Sequence, residues 1–294
     1  MRSYVVPIDF SKSSRIALDF AIARARRRKA RLILVHVIKN NPLAAATAED
    51  SGSAELIAKA QEFAREDART LMRKLVERRG LTPREHRVVL IERMDAAGAI
   101  AEQARKSRAR MIIMGSEGRA GLQRVFSGSV AEATLRATQR PLLIVKKSRL
   151  TKPPAKAILV PIDFSKISER SVKHAWEIAK AEKETLVLFN VVTQSNRMVP
   201  FYLREKFQQS LCKEEHRRIK QLARRLGIAP GRYRAIVIRG RDAAAAVAKE
   251  AKKLRVSMIV MGSHGRSGLT HLLLGSVAEK ILRCAACPVL IYQK

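Results

Sequence analysis

Short, nearly continuous apolar runs alternate along this chain with longer segments whose apolar residues recur at helical spacing. The runs are "SYVVPI", "RLILVHV", "HRVVLI", "RMIIMG" and "PLLIV" in the first half, then "AILVPI", "TLVLFNV", "RAIVI", "SMIVMG" and "PVLIY" in the second. Strands covered on both faces read as unbroken apolar runs rather than alternating ones, so each half predicts a parallel sheet layered between helices. In the first half the intervening helices fall at about residues 13–28, 54–79, 96–106 and 129–137. The expected class is α/β, with two tandem open sandwiches.

The two halves repeat one unit. "VPIDFSK" occurs word for word at Val6–Lys12 and Val160–Lys166, and "GSEGRAGLQRVFSGSVAE" at Gly115–Glu132 matches "GSHGRSGLTHLLLGSVAE" at Gly262–Glu279 in 11 of 18 positions without a gap. The expected boundaries are a first domain at 1–148, a linker at 149–156 with paired prolines and nothing that could form a core, and a second domain at 157–294.

In open α/β sheets, ligands sit beyond the carboxyl ends of the strands. Two features of each half fall there. One is the aspartate that leaves the first strand, Asp9 or Asp163; it can face a ligand or simply close the turn into the following helix. The other is the spacing G-x2-G-x9-G-S, formed by Gly115, Gly118, Gly128 and Ser129 and again by Gly262, Gly265, Gly275 and Ser276. Glycines let backbone amides converge on an anion, and Ser129 and Ser276 are placed to cap a helix whose N-terminus attracts phosphate. A tight turn built for packing gives the same spacing. No G-K-S or G-K-T follows these glycines, and no G-x-G-x-x-G follows the first strand, which excludes the two commonest phosphate loops.

On these residues, with the "LVHV" and "LFNV" of the second strands, the chain resembles tandem universal stress proteins over essentially its whole length. The resemblance implies two sandwiches, each with its own five-stranded parallel sheet of order 3-2-1-4-5, as in the adenine nucleotide alpha hydrolase-like folds. It also implies ATP, with Mg2+ or Mn2+ held mainly by the phosphates. Adenine would meet the backbone at Val37 and Val191, and the ribose would lie near Asp9 and Asp163. The phosphates would meet Gly115, Gly118, Gly128, Ser129 and Val130 in the first half, and Gly262, Gly265, Gly275, Ser276 and Val277 in the second. Pro7, Pro161, Met114 and Met261 would line the pocket, and for the two methionines a plain core role is equally open. The family's last strands commonly pair across two domains, which implies an internal pseudo-dimer and leaves a homodimer and an unidentified protein partner open. One departure is Arg93, which stands in "LIERMDA" where the second half has Gly240 in "VIRGRDA".

Composition narrows the function further. The formal charge is +33, with 31 basic against 15 acidic residues up to Leu150 and 28 against 11 after it, so no basic tail is set apart. Even spread predicts non-specific attraction to nucleic acid, and 4% aromatic residues leave few stacking platforms for a single strand. Three cysteines without a framework spacing, no signal-peptide pattern and no long apolar run lead to the expectation of a soluble, cytoplasmic protein without membrane contact. "CAACP" at Cys284–Pro288 has a C-x-x-C spacing but closes a helix, whereas redox pairs open one. Without a general base aimed at a γ-phosphate, the expected activity is ATP binding as a regulatory stress-response module with little or no hydrolysis. A slow ATPase or nucleotidyl-transfer enzyme and a nucleic-acid-associated basic protein are the alternatives.

Overall fold

The structure is a computed structural model that describes residues 2–39, 51–116, 129–146, 155–193, 204–264 and 274–293. By internal contacts the chain divides into two compact units, Met1–Val145 and Lys146–Lys294. Most of the expected linker lies outside the described residues. Ala155, at its end, donates its amide to Arg255 O at 2.7 Å and so belongs with the second unit.

The first unit runs β1 (Ser3–Pro7), α1 (Lys12–Arg28), β2 (Arg31–Ile38), α2 (Ser51–Glu77), β3 (His86–Glu92), α3 (Ala96–Lys106), β4 (Met111–Gly115), α4 (Ser129–Ala137) and β5 (Leu142–Val145). The second runs β6 (Ala157–Pro161), α5 (Lys166–Glu182), β7 (Thr185–Thr193), α6 (Arg204–Arg225), β8 (Tyr233–Gly240), α7 (Ala243–Lys253), β9 (Met258–Gly262), α8 (Ser276–Cys284) and β10 (Val289–Tyr292).

The strand order is β3-β2-β1-β4-β5-β10-β9-β6-β7-β8 in one ten-stranded sheet. This corrects the expectation of two separate five-stranded sheets. The physical reason lies in the short strands β5 and β10, neighbours in that order. Leu142 and Leu143 of β5 and Val289, Leu290 and Ile291 of β10 have no exposed surface, and an open edge of such residues would leave unpaired backbone groups as a template for aggregation.

Registers repeat between the units. Tyr4, Val5 and Val6 lie opposite Leu32, Ile33 and Leu34, and Ile158, Leu159 and Val160 opposite Leu186, Val187 and Leu188, all parallel. Each of these residues is buried, as a sheet covered on both faces requires. Helix α1 buries Ala17, Leu18, Ala21, Ile22 and Ala25 along one face, and α5 buries Val172, Ala175, Ile178 and Ala179 along its own. The non-glycine residues with left-handed backbone also come in matched pairs, Phe10 with Phe164, Lys29 with Lys183 and Arg108 with Arg255, their φ angles lying between 46° and 62°. Lys29 and Lys183 end α1 and α5 at the position where glycine is commonest, so the helix stop is set by geometry and not by residue type.

Candidate functional site

The repeated heptapeptide is the connection from the first strand of each unit into its first helix. Beyond Pro7, the Ile8 amide donates to Val35 O at 2.7 Å and clamps the strand end to β2. Asp9 Oδ1 then accepts from the Ser11 amide at 3.0 Å, Phe10 turns through φ 62°, and Ser11 caps α1 by accepting from the Ser14 amide at 3.1 Å. The second unit repeats each step. The Ile162 amide reaches Phe189 O at 2.8 Å, and Asp163 Oδ1 accepts from the Ser165 amide at 3.0 Å and from the Ser165 hydroxyl at 2.6 Å. Each aspartate therefore closes its turn while standing half-buried at the carboxyl end of the sheet, where its carboxylate can also meet a ligand.

The fourth strands end on Gly115 and Gly262, where packing leaves little room for a side chain, least of all at Gly115. A Cβ on Gly115 would lie 2.7 Å from the backbone C and O of Ser13, and one on Gly262 would lie 2.7 Å from Ile167 Cγ1. Each strand end thus presses against the first turn of the helix that follows the heptapeptide, which fixes the floor of the crevice. Met114 and Met261 are 6% and 4% exposed, so they are core first. Pro7 and Pro161 are half-buried at the strand ends.

After β9 the chain returns to open α8. The Ser263 amide donates to Tyr292 O at 2.8 Å, and the Gly275 amide donates to Ser263 O at 2.7 Å. Gly275 is the N-cap of α8, and the helix already includes Ser276. The expected caps are corrected accordingly: Ser276 is the first helical residue, and α4 likewise begins with Ser129 inside it. A glycine cap has no side-chain acceptor. Among the five α-helices whose N-cap is described, α1, α3, α5 and α7 are capped by Ser11, Asp95, Ser165 and Asp242, while α8 has no side-chain cap. Among the described residues no side chain caps the leading amides of α8, at Ser276 and Val277, and the Val277 side chain is 44% exposed. Val130 is half-buried. Gly118, Gly128 and Gly265 lie outside the described residues.

On the second strands, Val37 and Val191 are half-buried. The residues before them were not singled out as site residues by sequence, yet they tie the strand ends together. His36 Nδ1 is 2.6 Å from Ile8 O, and Asn190 Nδ2 donates to Ile162 O at 2.7 Å. Asn190 is 5% exposed and its Oδ1 has no hydrogen-bond partner among the described residues, which leaves a buried acceptor beside the crevice. The available signal was the common offset of 154 residues, which sets His36 against Asn190 as it sets Asp9 against Asp163.

The third strands differ as their sequences do. A Cβ on Gly240 would lie 3.1 Å from Val191 Cγ1, so glycine keeps that wall open. Arg93, its counterpart, donates to Glu102 Oε2 at 2.6 Å. The guanidinium is engaged by α3, and a role for Arg93 in holding phosphate has to compete with that pair.

The cysteines separate by burial. Cys284 ends α8 exposed, whereas burial pushes the Cys287 thiol up to about 12, far from the thiolate a redox pair needs. Among the described residues, no three His, Cys, Asp or Glu side chains converge as a metal site, and no helix is long and apolar enough to cross a membrane.

Known proteins agree with this architecture. A profile of the universal stress protein family matches residues 1–146 and again 154–293. A universal stress protein of Mycolicibacterium smegmatis is 29% identical over 296 residues, covering 98% of this chain and 95% of its own. One from Methanocaldococcus jannaschii is 32% identical over 149 residues, 47% of this chain and 82% of its own. The crystal structure of a universal stress protein from Archaeoglobus fulgidus superposes with a TM-score of 0.64 at 19% identity, covering 99% of this chain and 96% of that one, which is a likeness of fold. With its two repeats each matched from first strand to last, the chain belongs to the universal stress protein family.

Proposed function

We propose that the protein binds ATP at the carboxyl ends of its strands and acts as a nucleotide-dependent regulatory module in the cytoplasm, with little or no hydrolysis. The observation that carries this reading is the glycine cap of α8. Four other helices carry a side-chain acceptor at that position, and the helix that opens at the crevice does not. Amides without a side-chain cap at the positive end of a helix suit a phosphate, which takes the place of the cap.

In this reading Ser276, Val277 and the backbone at Gly275 and Gly265 hold the phosphates, and Gly262 lets α5 and the strand end close up beneath them. Asp163 faces the ribose, the backbone of Val191 meets the base, and Pro161 and Met261 form the apolar wall. Gly115, Gly118, Gly128, Ser129, Val130, Asp9, Val37, Pro7 and Met114 do the same in the first unit, where Arg93 in place of Gly240 narrows the access. Mg2+ or Mn2+ would ride on the phosphates and neutralise their charge. In this reading the bound nucleotide serves as a signal and not as fuel.

Titration of the full chain with ATP and Mg2+ by calorimetry tests this. Saturable binding should be weakened at least tenfold by Gly275→Leu, whose side chain enters the space above the helix terminus. Equal affinity in the variant would remove the second-unit site from consideration. Steady-state phosphate release well above background, lost with the same substitution, would favour the slow ATPase instead.

A further inference from the structure

Away from the carboxyl ends of the strands, the first unit contains a cavity of about 300 Å³ beside the last turn of α1, the start of β2 and the turn into β3. That volume lies at the lower end of small-molecule sites, roughly 300–1,000 Å³. Ile22, Ala25, Leu32 and Leu81 form its apolar floor, each at most 8% exposed. Arg26, Lys29, Arg84 and Glu85 stand at its rim.

The second unit shows what this place accommodates. Helices α1 and α5 are both 17 residues long, follow a serine cap and end at a left-handed lysine, so Ile22 corresponds to Trp176. Trp176 is the single tryptophan of the chain. Its ring lies 5.4 Å from the Arg232 guanidinium and 5.6 Å from Lys180 Nζ. Arg232 is the counterpart of Glu85, and Lys180 of Arg26. The indole is therefore directed at the same turn that borders the cavity of the first unit, and the floor beneath is equally apolar, with Ala179, Leu186 and Ile228 buried. The second unit fills the position with its own aromatic ring held between two cations; the first has a smaller aliphatic side chain there and a cavity.

Charge selects the ligand further. Glu85 already accepts from Arg26 Nε at 2.8 Å and from Thr82 at 2.9 Å and 3.1 Å, so its negative charge is satisfied within the protein. Lys29 and Arg84 are exposed and have no side-chain partner among the described residues. The Ala25 carbonyl at the end of α1 is taken by the Ala30 amide at 3.0 Å, which reduces its repulsion of an incoming anion. We infer that this cavity binds a flat aromatic carboxylic acid of one or two rings, its ring beside Ile22 at the mouth of the cavity and against the Arg26 guanidinium, and its carboxylate paired with Lys29 and Arg84.

Indole-3-acetate and indole, titrated into the full-length protein by calorimetry and ligand-observed NMR, are the probes. Indole-3-acetate should bind saturably, and Ile22→Trp, which copies the second unit, should fold and lose at least tenfold in affinity. Lys29→Ala with Arg84→Ala should weaken indole-3-acetate at least fivefold and leave indole unchanged; this variant decides the matter if Ile22→Trp does not fold. Absence of saturable indole-3-acetate binding, or undiminished binding in the folded Ile22→Trp protein, would overturn the inference. ATP affinity should be untouched by either variant, which separates this site from the crevice.

Discussion

At the scale of single residues, the strand-end glycines carry the sharpest expectations, because what a methyl group would meet differs between them. On Gly115 it meets the backbone of Ser13, which cannot turn aside, and on Gly262 it meets the side chain of Ile167, which can rotate. Gly115→Ala should cost about 1–3 kcal/mol of stability and Gly262→Ala less, in denaturant unfolding with an unchanged m-value. Titration adds a second expectation. Hydrogen bonds from Arg26 first, then Thr82, hold the Glu85 carboxyl down to about 2 against an unfolded value near 4.5. A depressed carboxyl stabilises the fold above its unfolded pKa, and that contribution is lost as pH falls from about 4.5 towards 2. Glu85→Gln should therefore lower stability at pH 7, by no more than about 1 kcal/mol for so open a pair, and the difference from the parent should vanish near pH 2. A thiol reagent at pH 8 should modify exposed Cys284 in the folded protein and leave Cys287 untouched until denaturation.

At the scale of elements, the residue that caps α8 was the least legible feature of the sequence. The strands and most helix spans could be read because apolar runs and helical periodicity report burial directly. Ser129 and Ser276 read as caps because serine is a good cap, yet α8 takes Gly275, which no residue preference favours over the serine beside it. That choice gains meaning only from the geometry of the crevice. The same holds for Gly115 and Gly262, where sequence left phosphate binding and close packing both open; the first turns of α1 and α5 supply the packing reason, and the two roles are compatible. Asn190 escaped notice because a lone asparagine in an apolar strand carries no motif. Ser165→Ala, which removes a cap of the ordinary kind, should cost about 1 kcal/mol. Gly275→Asp should act in the opposite sense on folding, raising the stability of the nucleotide-free chain by a few tenths of a kcal/mol while weakening ATP binding, since its carboxylate would occupy and repel the phosphate position. A variant that gains stability and keeps full ATP affinity would show that the phosphates lie elsewhere.

At the scale of the whole molecule, the repeat explains the shared architecture, and the departures from it explain why the halves need not act alike. Offsets of 154 residues in the first part of each unit and 147 in the later part relate matching turns, caps and left-handed residues, whereas Arg93 against Gly240 and Ile22 against Trp176 give the two units different walls. Separate sheets were expected because each half reads as a complete sandwich, and no periodicity reports the order in which ten strands are arranged. The charge of +33 is the other global property. Binding to a DNA duplex should be independent of its sequence and fall steeply between about 50 and 200 mM salt, as counterion release requires, and sequence-selective binding that survives the higher salt would favour the nucleic-acid alternative. The central claim is that the crevice at the strand ends holds an adenine nucleotide. Native mass spectrometry of the purified full-length chain, before and after addition of ATP with Mg2+, tests it most directly. The account predicts an adenine nucleotide on the second unit, lost in the Gly275→Leu variant, and a second equivalent bound more weakly; a chain that stays bare in both samples would contradict it.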